Sequence, residues 1–143
     1  LVEEDDAMDE LGRTFPRELT IEERVLTQWL LRNGHCQEEP FLEQLGRAKV
    51  AGACGCGCAS IAFEIEGEGV PPDAGMEILG DFIYGDAGTL CGVFVFARGG
   101  TLAALEVYSL AGESAPNTLP DSSVLRPVET EMEKIERGHA GDT

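Results

Sequence analysis

Residues 90–110 read LCGVFVFARGGTLAALEVYSL, and this stretch decides the fold. Gly99-Gly100 separates two β-rich runs. A Gly-Gly pair in that position signals a two-residue hairpin, because such a turn demands positive φ where only glycine is comfortable. In the first run Val93, Phe94, Val95 and Phe96 follow one another without a polar break. The spacing therefore predicts a strand over 90–98 that is central in its sheet and covered on both faces. In the second run, 101–110, Leu105 and Val107 share one face, and Glu106 and Tyr108 share the other.

Upstream, two further strands are expected over 49–66 and 76–84. The breaks between strands are Gly67-Glu68-Gly69 with Pro71-Pro72, and Gly85-Asp86-Ala87-Gly88. Before them the period changes. Thr20-Ile21-Glu22-Glu23 fits a capping box. Ile21, Val25, Leu26, Trp29 and Leu30 then recur at helical spacing, and Asn33-Gly34 supplies a left-handed stop. A second helix starts at Pro40, buries Phe41, Leu42 and Leu45, and ends at Gly46. Short turns between sequential strands imply a meander. The expected fold class is α+β, with two N-terminal helices packed on a four-stranded, mainly antiparallel meander. Residues 112–127, rich in Pro, Asn and Ser, read as a surface loop. A short C-terminal helix is expected over 128–137, from Val128, Met132 and Ile135. The organisation is an acidic flexible arm over 1–19, one α+β domain over 20–127, and a weak helix with a frayed tail over 128–143.

The chain of 143 residues carries a net charge of -17, with 27 acidic residues against 10 Lys and Arg. Residues 1–19 contribute -5, residues 20–126 contribute -9 and residues 127–143 contribute -3. Nucleic-acid binding needs basic side chains to neutralise phosphates, so no nucleic-acid partner is expected. No apolar run approaches the roughly 20 residues of a membrane span, and no membrane partner is expected. The N-terminal LVEEDDAMDE, with six acids in ten residues, is the reverse of a basic leader, so a cytoplasmic location is expected. In a reducing compartment the five cysteines are thiols or metal ligands.

Three of those cysteines are crowded into one run, Ala53-Cys54-Gly55-Cys56-Gly57-Cys58-Ala59-Ser60. In a regular strand Cys54, Cys56 and Cys58 share a face with Ser60, Ala62, Glu64 and Glu66. Ile61, Phe63 and Ile65 then occupy the core face. Same-face sulfurs in a strand stand about 6.6 Å apart. Tetrahedral zinc wants sulfurs about 3.8 Å apart. A straight strand therefore excludes one shared ion, whereas a glycine-permitted loop or bulge allows it. Cys36, Cys91 or His35 would then offer a fourth ligand. The competing readings are small buried residues on a packed face and a reactive thiol. The acidic surroundings argue for raised thiol pKa values. No cofactor is otherwise expected; zinc or another thiophilic metal is the one that Cys54, Cys56 and Cys58 admit.

Other candidate surface residues are Glu64 and Glu66, which with Glu68 make an acidic stripe or a solvated sheet face, and Glu106 with Tyr108. The Glu106–Tyr108 pair lines a shallow site or packs across strands. No nucleotide loop, nucleophile elbow or zinc-protease helix motif is present. The two histidines supply no evident general base, so an enzyme is not the favoured reading.

The run Gly52–Ser60, taken with Leu105-Glu106-Val107-Tyr108-Ser109, resembles small bacterial proteins of uncharacterised function. Those proteins carry a Cys-Gly-Cys strand and a Leu-Glu-Val-Tyr hairpin strand. The resemblance implies a shared fold over about residues 20–127 and implies no activity. Ala59 stands where such proteins often carry Pro. The first functional expectation is a non-enzymatic protein-interaction module, in which an acidic face binds a basic protein partner as immunity proteins and inhibitors do. The alternative is a metal-binding or redox thiol protein using Cys54, Cys56 and Cys58.

Overall fold

The structure, a computed structural model, describes residues 7–8, 14–69, 74–112 and 114–128. The chain opens with β1 (Ala7–Met8) and β2 (Thr14–Phe15), which pair with each other. Two helices follow, α1 (Ile21–Asn33) and α2 (Glu38–Leu45). Then come β3 (Ala48–Ala53), β4 (Ile61–Ile65), β5 (Met76–Tyr84), β6 (Cys91–Arg98), β7 (Thr101–Ser109) and β8 (Arg126–Pro127). The fold is α+β, as expected. The sheet, however, has six strands in the order β3-β4-β7-β6-β5-β8, with every pairing antiparallel.

The expected four-stranded meander is corrected in two places. The single strand expected over 49–66 is two strands, β3 and β4, because residues 54–60 leave the ladder as a loop. Their hairpin pairs with the last long strand, β7, and not with β5. The loop expected over 112–127 ends in β8, which adds a short edge beside β5. The terminal helix expected over 128–137 lies, beyond Val128, outside the described residues.

Gly99 and Gly100 both take positive φ, 57° and 80°, as a two-residue hairpin turn requires. β6 is central, flanked by β5 and β7. Both of its faces are largely covered, Val93 and Val95 wholly on one and Phe96 buried on the other, where Phe94 is half-buried. Phe94 sits in an aromatic row, stacked on Phe96 at 5.7 Å and edge-on to Tyr108 at 5.8 Å.

Thr20 caps α1 with the full reciprocal box: its Oγ accepts from the Glu23 N–H at 3.1 Å, and Glu23 accepts from the Thr20 N–H at 2.8 Å. The buried stripe of α1 is Glu23, Leu26, Thr27, Leu30 and Leu31. Ile21 and Val25, expected on the core face, are exposed. The helix is rolled because its C-terminal end meets β5 backbone to backbone. A Cβ on Gly80 would strike the Leu30 carbonyl, and one on Gly34 would strike the Leu79 carbonyl. Gly34 is thus needed for close approach rather than as a left-handed stop; its φ is -94°. The His35 N–H continues the contact by donating to the Leu79 carbonyl at 2.9 Å.

Part of the stretch expected as a flexible arm is built into this body. Phe15 and Leu19 are buried in the core, and the Arg17 backbone exchanges two hydrogen bonds with Val50. The Arg17 guanidinium grips Glu23 through two bonds of 2.9 and 2.8 Å. Of residues 1–13, only Ala7–Met8 is described.

Two outcomes follow for stability. Gly80→Ala lowers the unfolding free energy in urea by about 1–3 kcal/mol, because the added methyl has only backbone to displace. Gly88→Ala, with open space around it, changes stability by no more than about 0.5 kcal/mol. Burial raises the Glu23 pKa, but the bonds from Arg17 and Thr20 outweigh burial and leave it lowered. The stability this carboxylate contributes is therefore present above the ordinary glutamate pKa and lost as pH falls through the folded value. Glu23→Gln should flatten that part of an acid-unfolding curve.

Candidate functional site: a three-cysteine loop

Residues 54–60 join β3 to β4. The loop forms because its backbone closes on itself. The Gly57 N–H donates to the Cys54 carbonyl at 3.2 Å, a tight turn, and Gly57 takes φ of 89°, which favours glycine. The Cys54 N–H donates to the Ser60 carbonyl at 3.4 Å across the base. Ser60 fixes the loop to the sheet. Its buried hydroxyl accepts from the Val107 N–H at 2.9 Å and donates to the Val107 carbonyl at 3.3 Å, standing in for a ladder pair. From the other side, the Ala59 N–H donates to the Pro116 carbonyl at 2.9 Å.

This geometry brings the three sulfurs together. The Sγ atoms of Cys54, Cys56 and Cys58 all lie within 4.8 Å of one another. Those of Cys54 and Cys56 are 2.7 Å apart. The cysteines grade from exposed Cys56 through half-buried Cys54 to buried Cys58. The expectation of sulfurs splayed along a straight strand is corrected: Gly57, at positive φ, lets the chain turn, and turning replaces the strand spacing.

Cys54 and Cys56 share a sulfur–sulfur contact in which either thiol can donate, and the Cys58 N–H donates to the Cys56 sulfur at 3.4 Å. These bonds hold the Cys56 pKa below the usual thiol value. Cys54 is pushed up to about 11, chiefly by its contact with Cys56. The acidic chain was expected to raise its thiols, yet local donors lower the exposed one. Cys36 is raised, chiefly by burial.

The proposed fourth ligands do not join the trio. Cys36 donates its thiol to the Leu31 carbonyl, Cys91 to the Thr89 carbonyl, and His35 Nε2 lies 3.1 Å from Asp81 Oδ1. Among the described residues the cluster is Cys54, Cys56 and Cys58 alone. A cavity of about 350 Å³ opens beside Cys58, walled by Ser60, Arg17 and residues 117–119. A second, of about 360 Å³, runs past Cys54 between Ala62, Ala104 and Glu106.

The surface residues singled out from the sequence separate. Glu106 flanks the cysteine loop across that second cavity. Tyr108 packs over Gly92, where a Cβ would strike its ring, so it is a cross-strand packing residue. Burial, then the Asp81 charge, raises its pKa. Glu64 and Glu66 lie toward the far end of the β3–β4 hairpin and do not join Glu106. Glu64 stands opposite Lys49 in register, and the Glu66 carbonyl accepts from Arg47. The sequence did not point to Gln44 or to the strap around Pro116. Gln44 is buried: its amide donates to the Gly100 carbonyl at 2.9 Å and accepts from the Leu102 N–H at 2.8 Å. Two polar residues, Glu43 and Gln44, lie between Phe41 and Leu45, and the pattern alone does not tell the buried one from the exposed one.

No protein family, no curated protein and no solved structure matches the chain. Among the described residues, no helix is long and apolar enough to cross a membrane.

The proton arrangement gives a measurable outcome. Alkylation by iodoacetamide, mapped by mass spectrometry against pH, should modify Cys56 first and at a lower pH than Cys54. Cys54→Ser removes the adjacent sulfur and should move the Cys56 profile to a higher pH midpoint.

Proposed function

We propose that residues 54–60 form a soft-metal site, in which Cys54, Cys56 and Cys58 hold one thiophilic ion as thiolates. The carrying observation is the convergence of the three sulfurs to within 4.8 Å. Zinc–sulfur bonds of about 2.3 Å require sulfurs about 3.8 Å apart, which small rotations of these side chains reach. Soft thiolates select zinc or monovalent copper over the harder divalent ions. Backbone N–H groups at 3.5 and 3.4 Å from the Cys54 and Cys56 sulfurs would stabilise the anionic ligands.

Three ligands leave a position open. A closed four-ligand site builds a fold, and an open one binds something further. The body of this protein already has an aliphatic core, with Leu30, Leu79, Val93, Val95, Leu102 and Leu105 at 0% exposure. Metal held at the loop would therefore be cargo or a reactive centre, not a structural staple. The competing reading, an acidic module for a basic protein partner, rests on the charge of -17. Its intended stripe is partly neutralised, since Glu64 faces Lys49 and Arg47 reaches Glu43 and Glu68. It remains the second proposal, recognised by capture that weakens with salt.

Protein purified anaerobically should carry, or take up, one equivalent of zinc or monovalent copper per chain, read by elemental analysis. Changing any one of the three cysteines to Ser should weaken binding by more than the roughly 10–100-fold that loss of a supporting group costs at metal sites. Binding should also fall on acidification, since thiolate ligands must lose their protons. Full thiol titration with no metal uptake overturns the reading.

A further inference from the structure

We infer that Cys56 and Cys54 form a thiol–disulfide exchange couple, in which Cys56 attacks a small-molecule disulfide and Cys54 closes a reversible bridge onto it. The exchange goes beyond the metal site. Its consequence, that the bridge removes two of the three ligands, rests on the metal reading above.

Three features of the loop carry it. Cys56 is the exposed member of the trio and is open to a small disulfide. The Cys54 sulfur lies 2.7 Å away, so the second step needs almost no approach. A bridge between them spans only Gly55, whose Cβ position faces open space. Cys58 is buried, and its N–H holds the Cys56 sulfur from behind.

The steps balance. The Cys56 thiolate attacks one sulfur of the small disulfide. A new S–S bond forms to Cys56, the old one breaks, and a thiolate departs and takes a proton from water. The Cys54 thiol gives its proton to solvent and attacks the adjacent Cys56 sulfur, and the second small thiolate leaves and takes a proton from water. Two protein thiols have lost two electrons, and the small disulfide has gained them as two thiols. An exposed bridge over one residue is of the readily reduced kind, so a small thiol in excess reverses the sequence.

The test incubates the reduced full chain with oxidised glutathione, then maps adducts and bridges by mass spectrometry. The wild type should form a Cys54–Cys56 bridge that added reduced glutathione removes. Cys54→Ser should stop at a glutathione adduct on Cys56. Cys58→Ser should still form the bridge, and Cys56→Ser should react at least tenfold more slowly. Circular dichroism on each variant checks that the fold is retained. Bridging that instead joins Cys58, or wild-type rates in Cys56→Ser, or no reaction at all, overturns the couple. Zinc uptake measured before and after oxidation separates the two readings. A reduced chain that takes up no zinc yet forms the bridge loses the metal site and keeps the couple. A chain that binds zinc but never bridges keeps the metal site and loses the couple.

Discussion

Strand β7 is the element on which the other parts depend. It pairs along its whole length with β6, and it receives the β3–β4 hairpin through Leu105 and Ala104. Its buried Leu102 and Leu105 lie in the core under the helices. Its first residues are tied to α2 by Gln44, whose amide satisfies the Gly100 carbonyl and the Leu102 N–H together. Its far end supplies Val107, the backbone partner of Ser60. A buried backbone group without a partner costs about 1–3 kcal/mol, so these side-chain substitutes are structural necessities where the ladder stops. Helix, hairpin and cysteine loop are thereby all registered against one strand.

The cysteine loop follows from that registration. β4 can pair with β7 over only a short stretch, Ile61 and Ala62, before its N-terminal side must turn away. Ser60 ends the pairing, and the loop is clamped by Val107 on one side and Pro116 on the other. Within the clamp, Gly57 at positive φ lets the cysteine backbone curl, so thiols that a strand would space by nearly 7 Å come into contact. The curl also turns the Cys56 and Cys58 N–H groups toward sulfur. Short-range donors then decide the chemistry. A chain with 17 net negative charges still lowers the pKa of its exposed thiol, because a hydrogen bond at contact distance outweighs distant charges screened by water.

Much of the architecture was legible from local signals. The Gly99-Gly100 turn, the Thr20–Glu23 capping box and the alternation of Ile61, Phe63 and Ile65 against Ala62 and Glu64 each specify a local conformation through φ, a cap or a face. The structure has all three. The roll of α1 was not legible. Ile21 and Val25 are as apolar as Leu26 and Leu30, and only the close contact of Gly34 and Gly80 decides which stripe meets the sheet. β8 was hidden for a similar reason: Arg126 and Pro127 carry no strand pattern, and they become a strand only because β5 presents an edge.

By itself, then, the sequence determined the α+β class, the central hairpin, the capped first helix and the existence of a dense thiol run interleaved with glycine. These depend on residues close along the chain, where propensity and period act. The tertiary structure alone decided that the hairpin of β3 and β4 joins β7, and that the cysteines form a loop instead of a strand. It also decided that their sulfurs converge while Cys36, Cys91 and His35 are engaged elsewhere. The placement of the β3–β4 hairpin and of the loop depends on partners more than 40 residues away, such as Leu105 for Ile61 and Val107 for Ser60. A long-range partner leaves no periodic mark on the segment that it captures, so its effect is visible only once the sheet is assembled.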